Sequence, residues 1–231
     1  METRDCIYHA SNAKDRIIIC KKQIDELEAF AKTHGKQIVH IFIDNTLSQG
    51  RKVEYKNYIQ SAGIYDSVTV KNLYFINKWT AKAISDVSYI AATGSNVISF
   101  DTGEISVKKA DCGFFEEYKK VLIYHSKVQK SDELRMETVV DILKLYIKEN
   151  TNWEIIDIVT DEADKKSVES QPNLWELDVS EYDLIVVQSC SKIDLTSIRF
   201  ERWCRTHAVD IFSMTEGIVR WNGVGYHEQQ S

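Results

Sequence analysis

Tyr65-Asp66-Ser67-Val68-Thr69-Val70 and Tyr182-Asp183-Leu184-Ile185-Val186-Val187 are one phrase written twice, 117 residues apart. Each opens on Tyr-Asp and runs into a β-branched apolar stretch, the mark of a short buried strand. The echo extends in both directions. Ile7-Tyr8-His9 returns as Ile123-Tyr124-His125 at an offset of 116. Ile38 to Ile43 returns as Glu154 to Val159. Asn96 to Phe100 with Thr102-Gly103 returns as Asp210 to Met214 with Glu216-Gly217, at an offset of 114. Near-constant offsets over several elements point to an internal duplication. The units are residues 1–110 and 111–231, with a seam in Lys108 to Lys119.

Between the strands the periodicity is helical. Ile17, Cys20, Ile24, Leu27 and Ala31 recur at three and four, and Gly35 stops that helix. Glu54 to Ala62 makes a short helix and Thr80 to Ala92 a longer one, before Gly94. Asp132 to Lys148 repeats the first helix in the second unit. The order β-α-β-α-β-α-β defines an α/β fold: two tandem units, each a largely parallel four- or five-stranded sheet flanked by helices. The expected topology is the same in both, so units 1–110 and 118–220 should superpose strand for strand.

Composition narrows the class. The 231 residues are 43% hydrophobic and 28% charged, with one proline and nine glycines. That excludes disordered and collagen-like chains and argues against a turn-rich β sandwich. No apolar run is long enough to span a bilayer, and no basic flank with an apolar core opens the chain. The five cysteines show neither zinc-site nor disulfide-framework spacing, so a reducing cytoplasm is expected. No glycine-rich phosphate loop is present, and no cofactor or metal is expected. Net charge is −6 and unevenly divided: residues 1–113 carry 15 basic and 13 acidic side chains, residues 114–231 carry 14 and 22. The second half is therefore a poor surface for a phosphate backbone.

The first unit, from about Tyr8 to Gly103, resembles the catalytic domain of the serine recombinases, the resolvase/invertase family. Four pieces carry the likeness: Lys22-Gln23-Ile24-Asp25-Glu26-Leu27 with Phe30-Ala31; Ile41-Phe42-Ile43-Asp44 with Ser48 and Gly50; Lys52-Val53-Glu54-Tyr55; and Val70-Lys71-Asn72-Leu73. The resemblance implies a serine that attacks a phosphodiester while arginines neutralise the transition state, for which planar guanidinium groups are suited and lysine is not equivalent. The family's opening Tyr-x-Arg-x-Ser reads here Tyr8-His9-Ala10-Ser11-Asn12, so the serine is one position off and the arginine is missing. Its Leu-Asp-Arg-Leu-x-Arg reads Leu73-Tyr74-Phe75-Ile76-Asn77-Lys78. The residues standing nearest to the family's set are Ser11, Gln23, Arg51, Lys52 and Lys78. In the second unit Val128 falls at the nucleophile position, and Gln188-Ser189-Cys190-Ser191-Lys192 replaces the third-strand motif. The residues after Gly217 are too few for a helix-turn-helix.

The resemblance thus implies a catalytically degenerate recombinase-like protein that works through protein contacts or self-association. Two fused units would imitate a recombinase dimer and regulate a true recombinase; DNA binding is expected to be weak. Two other readings stand beside it: a divergent recombinase using Ser11 with Arg51, Lys52 and Lys78, and a small-molecule sensor at the strand ends. His9 and His125 sit at equivalent strand ends, where an anion would bind or where two polar residues were simply inherited. Asp44, Asp161 and Asp164 read as magnesium ligands or as helix caps. Trp153, Trp175, Trp203 and Trp221 enrich the second half, as core or as interface. The run Asp161-Glu162-Ala163-Asp164 is a solvated face or a phosphate mimic.

Overall fold

The computed structural model describes residues 3–11, 17–45, 52–127, 136–162, 174, 176–193 and 197–222. The first half holds β1 (Asp5–Ala10), α1 (Ile17–Thr33), β2 (Ile38–Asp44), α2 (Val53–Ser61), β3 (Ser67–Val70), α3 (Leu73–Ile76), α4 (Thr80–Ala92), β4 (Asn96–Ser99) and β5 (Gly103–Lys108). After α5 (Cys112–Glu116) come β6 (Lys120–Lys127), α6 (Met136–Asn150), β7 (Glu154–Glu162), β8 (Leu184–Val187), a 3₁₀ turn at Cys190–Lys192, α7 (Ser197–His207), β9 (Asp210–Ser213) and β10 (Gly217–Asn222).

The α/β fold is as expected, and its strands form one sheet in the order β2-β1-β3-β4-β5-β10-β9-β8-β6-β7. Within each half, four strands run parallel and the fifth returns antiparallel. The spatial order repeats: β7-β6-β8-β9-β10 mirrors β2-β1-β3-β4-β5 about the centre. Register repeats too. The β1–β2 ladder slips between Asp5 and Cys6, and the β6–β7 ladder slips between Val121 and Leu122, 116 residues on. Tyr8 donates its hydroxyl proton to Asp44 at 3.1 Å, and Tyr124 does so to Asp161 at 3.2 Å.

The halves meet strand to strand. In the β5–β10 pair, Lys108 faces Ile218 and Glu104 faces Asn222. By the 114-residue offset, Glu104 is the counterpart of Ile218 and Lys108 of Asn222. The seam register is therefore self-complementary, the geometry of an isologous two-fold contact inside one chain. The local sequence pattern predicts neither β5 and β10 nor the merging of two expected sheets into one. Each follows its fourth strand through a tight hairpin opened by a glycine with positive φ, Gly103 at 89° and Gly217 at 99°. At Gly217 a Cβ would lie 2.4 Å from the Lys108 carbonyl oxygen, so no side chain fits.

Alternation along the strands builds different cores on the two faces. On one face Tyr8, Val70 and Ile105 continue across the seam into Tyr124, Val187 and Val219, giving one core that spans both halves. It is covered by α2, α3, α4, the Cys190–Lys192 turn and α7. On the other face, α1 covers Ile7, Ile98 and Phe100, whereas α6 covers Val121, Ile123 and Phe212 separately. Helix α6 is amphipathic, with Val139, Val140, Leu143 and Ile147 buried at three- and four-residue spacing. Trp153 and Trp203 are core residues, 7% and 9% exposed, and Trp221 packs partly buried against the core. Trp79 is 55% exposed, and Trp175 lies outside the described residues.

Candidate functional site

The carboxyl ends of the parallel strands are where an open α/β sheet holds its ligand. In the first half, Ser11 follows β1 and is buried; its N–H donates to the Asp44 carbonyl at 3.0 Å. The Asp44 carboxylate accepts the N–H groups of Glu54 and Tyr55, at 3.0 and 2.9 Å, and so caps α2. The capping alternative for this aspartate is the one observed. Asp161 accepts the Leu174 N–H at 3.3 Å in the corresponding place, and Asp164 lies outside the described residues.

Lys52 is only 1% exposed. Its amine donates to the carbonyl oxygens of Phe75 and, at 3.2 Å, Ile76, closing the carboxyl end of α3. It also lies 5.7 and 5.6 Å from the ring centroids of Tyr8 and Tyr55. Burial pushes its pKa down to about 8, against the raising effect of Asp44 and Asp86. Lys78 points outward, its amine 4.8 Å from the Trp79 ring centroid. Gln23 is half-buried midway along α1, and Arg51 lies outside the described residues. Lys52 and Lys78 thus occupy different settings, one inside and one on the surface. His9 and His125 are 0% and 3% exposed, and the His9 ring lies 5.5 Å from that of Phe75. They are interior side chains.

The exit of β3 shows what the sequence concealed. The Leu73 N–H, first of α3, donates to Glu201 Oε2 at 2.7 Å. Thr102 Oγ1 donates to Glu201 Oε1. Glu201 comes from α7, in the other half, and is 0% exposed. Burial raises its pKa to about 7, despite the hydrogen bonds that favour its charge. Around it, Lys71 pairs with Asp101 at 3.2 Å, Asn72 donates to Asp101 at 2.8 Å, and Arg205 donates to the Asp101 carbonyl at 2.9 Å. At the exit of β8 a local acid takes the same part. The Cys190 N–H donates to Glu216 Oε2 at 3.1 Å and Ser189 Oγ to Oε1 at 2.9 Å, with Ser213 donating as well. At the β3 and β8 exits alike, the first helical N–H is thus taken by an internal carboxylate.

Beside the β9–β10 hairpin lies a cavity of about 520 Å³, lined by α4, the segment after β5, α5, α6 and the hairpin. Among the described residues, no three histidine, cysteine or acidic side chains are grouped to hold a metal.

No family model matches the chain, and no curated protein matches it. Among solved structures, the C-terminal catalytic domain of ISC1926 TnpA, an IS607-like serine recombinase, is 13% identical with a TM-score of 0.38, covering 42% of this chain and 67% of that one. A resolvase family site-specific recombinase from Streptococcus pneumoniae is 16% identical with a TM-score of 0.37, covering 42% and 72%. An ABC transporter solute-binding protein from Bacillus halodurans with bound myo-inositol is 14% identical with a TM-score of 0.30, covering 92% and 75%.

Proposed function

We propose that the protein is a non-cleaving, recombinase-like molecule that acts through contacts with other proteins, and that its halves, residues 1–110 and 111–231, are a duplicated unit. One observation carries the first part: an internal carboxylate occupies the first helical N–H after β3 and after β8. Phosphoryl transfer needs fixed positive charge where the pentavalent phosphate gathers negative charge. At the β8 exit Glu216 supplies a carboxylate and no cation, at the β3 exit Glu201 supplies an acid that burial holds near a pKa of about 7, and Lys52 is spent on α3 carbonyls. The repeated strand order, slipped registers and Tyr–Asp pairs support the second part. Five unpaired thiols suit a reducing compartment, the cytoplasm. Exposed Val39 and Ile43 on the edge strand β2, and Ile142 and Leu145 on α6, offer apolar surface to a partner. The acidic second half suits a basic partner such as a DNA-bound recombinase.

The test is incubation with supercoiled plasmid, alone and with an active resolvase-type recombinase. The expected result is no nicking, no covalent protein–DNA adduct, and a changed rate of the added enzyme at roughly equimolar ratio. An adduct at Ser11 abolished by Ser11→Ala would restore the divergent-recombinase reading. An unchanged rate at about tenfold excess would remove the regulatory role.

A further inference from the structure

The cavity beside the β9–β10 hairpin is assembled from three parts of the chain: Ser85 and Ser88 on α4, Lys109 and Phe115 around the linker, and Tyr146 and Phe212 in the second half. Its volume, about 520 Å³, falls in the roughly 300–1,000 Å³ range of small-molecule sites. One wall is aromatic. The rings of Tyr146 and Phe212 lie 6.1 Å apart at 16°, and Phe115 meets Phe212 edge-on at 5.7 Å. Phe212 is itself buried, so the half-buried rings of Phe115 and Tyr146 are the ones a flat ligand ring would reach.

The polar part is selective because its groups are not equally committed. Glu216 also lines the cavity, but its carboxylate already accepts from Ser189, Cys190 and Ser213. Lys109 makes no ion pair or hydrogen bond among the described residues, and the hydroxyls of Ser85 and Ser88 likewise make none. Lys109 and Ser85 are exposed and Ser88 is half-buried, so the groups left to a ligand at the cavity mouth are one cation and two hydroxyls a helical turn apart. An ammonium beside hydroxyl donors recognises an oxyanion. The first half lacks the counterpart: there Phe100, which corresponds to Met214, packs against Phe30 at 5.1 Å, and Arg205 reaches the Asp101 carbonyl.

We infer that this cavity binds a small aromatic molecule carrying one anionic group, its oxyanion at Lys109, Ser85 and Ser88 and its ring on Phe115 and Tyr146. The inference is independent of whether the protein cuts DNA.

Titration calorimetry of the full chain tests it with five probes: phenyl phosphate and 4-hydroxybenzoate, which have ring and charge; inorganic phosphate and acetate, which have charge alone; and benzyl alcohol, which has the ring alone. The expected result is a dissociation constant below about 1 mM for a ring-bearing anion, weakened about tenfold or more in Lys109→Met, with circular dichroism unchanged. No binding by either ring-bearing anion overturns the inference. So does inorganic phosphate or acetate binding as well as its ring-bearing counterpart, benzyl alcohol binding as well as either, or a Lys109→Met variant that binds like the parent.

Discussion

Glu201 is where one side chain ties both halves together. Its pKa rises from the ordinary glutamate value of 4.5 to about 7, first because of burial. Between those values the folded chain holds a proton that the unfolded chain has released, so stability falls as pH rises through the window. We expect the protein to lose about 2 kcal/mol between about pH 5 and pH 8 from this group. Glu201→Gln mimics the protonated acid: its amide oxygen still accepts from Leu73, while its amide N–H donates to the Thr102 oxygen, which in the parent donates to the carboxylate. Denaturant unfolding across that range should be flatter for this variant than for the parent; equal slopes would place the pH dependence elsewhere. Lys52→Met leaves the carbonyls of Phe75 and Ile76 short of a donor and should cost about 1–2 kcal/mol by the same measurement. Neither role was legible in the sequence. Glu201 stands four residues before Arg205 on an amphipathic helix, which reads as a solvated ion pair. Its partners, Leu73 and Thr102, are about a hundred residues away. Lys52 was legible by position, as the residue facing the family's loop arginine, but a lysine reads as surface until its neighbours are known. The aspartates were easier, because Asp44 ends a strand shortly before a helix, and a cap is local chemistry.

Helix endings show the two halves solving one problem unequally. Helix α4 stops at Gly94, with φ of 89°, where glycine has no steric penalty. At the matching place after α7 stands Ala208, with φ of 48°. A Cβ in the left-handed region costs roughly 1 kcal/mol or more. Ala208→Gly should therefore raise stability by about 1 kcal/mol, seen as a higher denaturation midpoint with an unchanged slope. A lower midpoint would mean that the alanine methyl is needed for packing. The parallel strands and helices α1, α2, α4 and α6 were legible, within a few residues, because their periodicities are local: Thr80–Ala92 and Ser67–Val70 occur as expected, whereas α3, α5 and α7 were not legible. Strands β5 and β10 were not. Gly103-Glu104-Ile105-Ser106-Val107-Lys108 alternates as a strand should, but a parallel βα template assigns no partner to a strand that follows its neighbour through a hairpin.

For the whole molecule, the order of elements was readable from the repeated offsets, and the single sheet was not, since nothing local announces that β5 will pair with β10. The apolar core on one face crosses that seam. Heating or urea should therefore unfold both halves in one cooperative transition, with circular dichroism and tryptophan fluorescence coincident; two resolved transitions would show that the halves are energetically separate. The uneven charge makes a second expectation. With 22 acidic and 14 basic side chains in residues 114–231, duplex binding at about 150 mM salt should be weak, and sub-micromolar, sequence-selective binding in a gel assay would contradict it. The seam also has a consequence for how such a pair is maintained. A self-complementary contact between two separate chains comes apart on dilution and obliges both partners to change together. Held within one chain, the contact persists at any concentration, because the effective concentration of one half around the other is fixed by the linker. Each side is then free to change alone: Glu201 crosses to the first half, while the residue in the matching place there, Val87, is a fully buried apolar side chain.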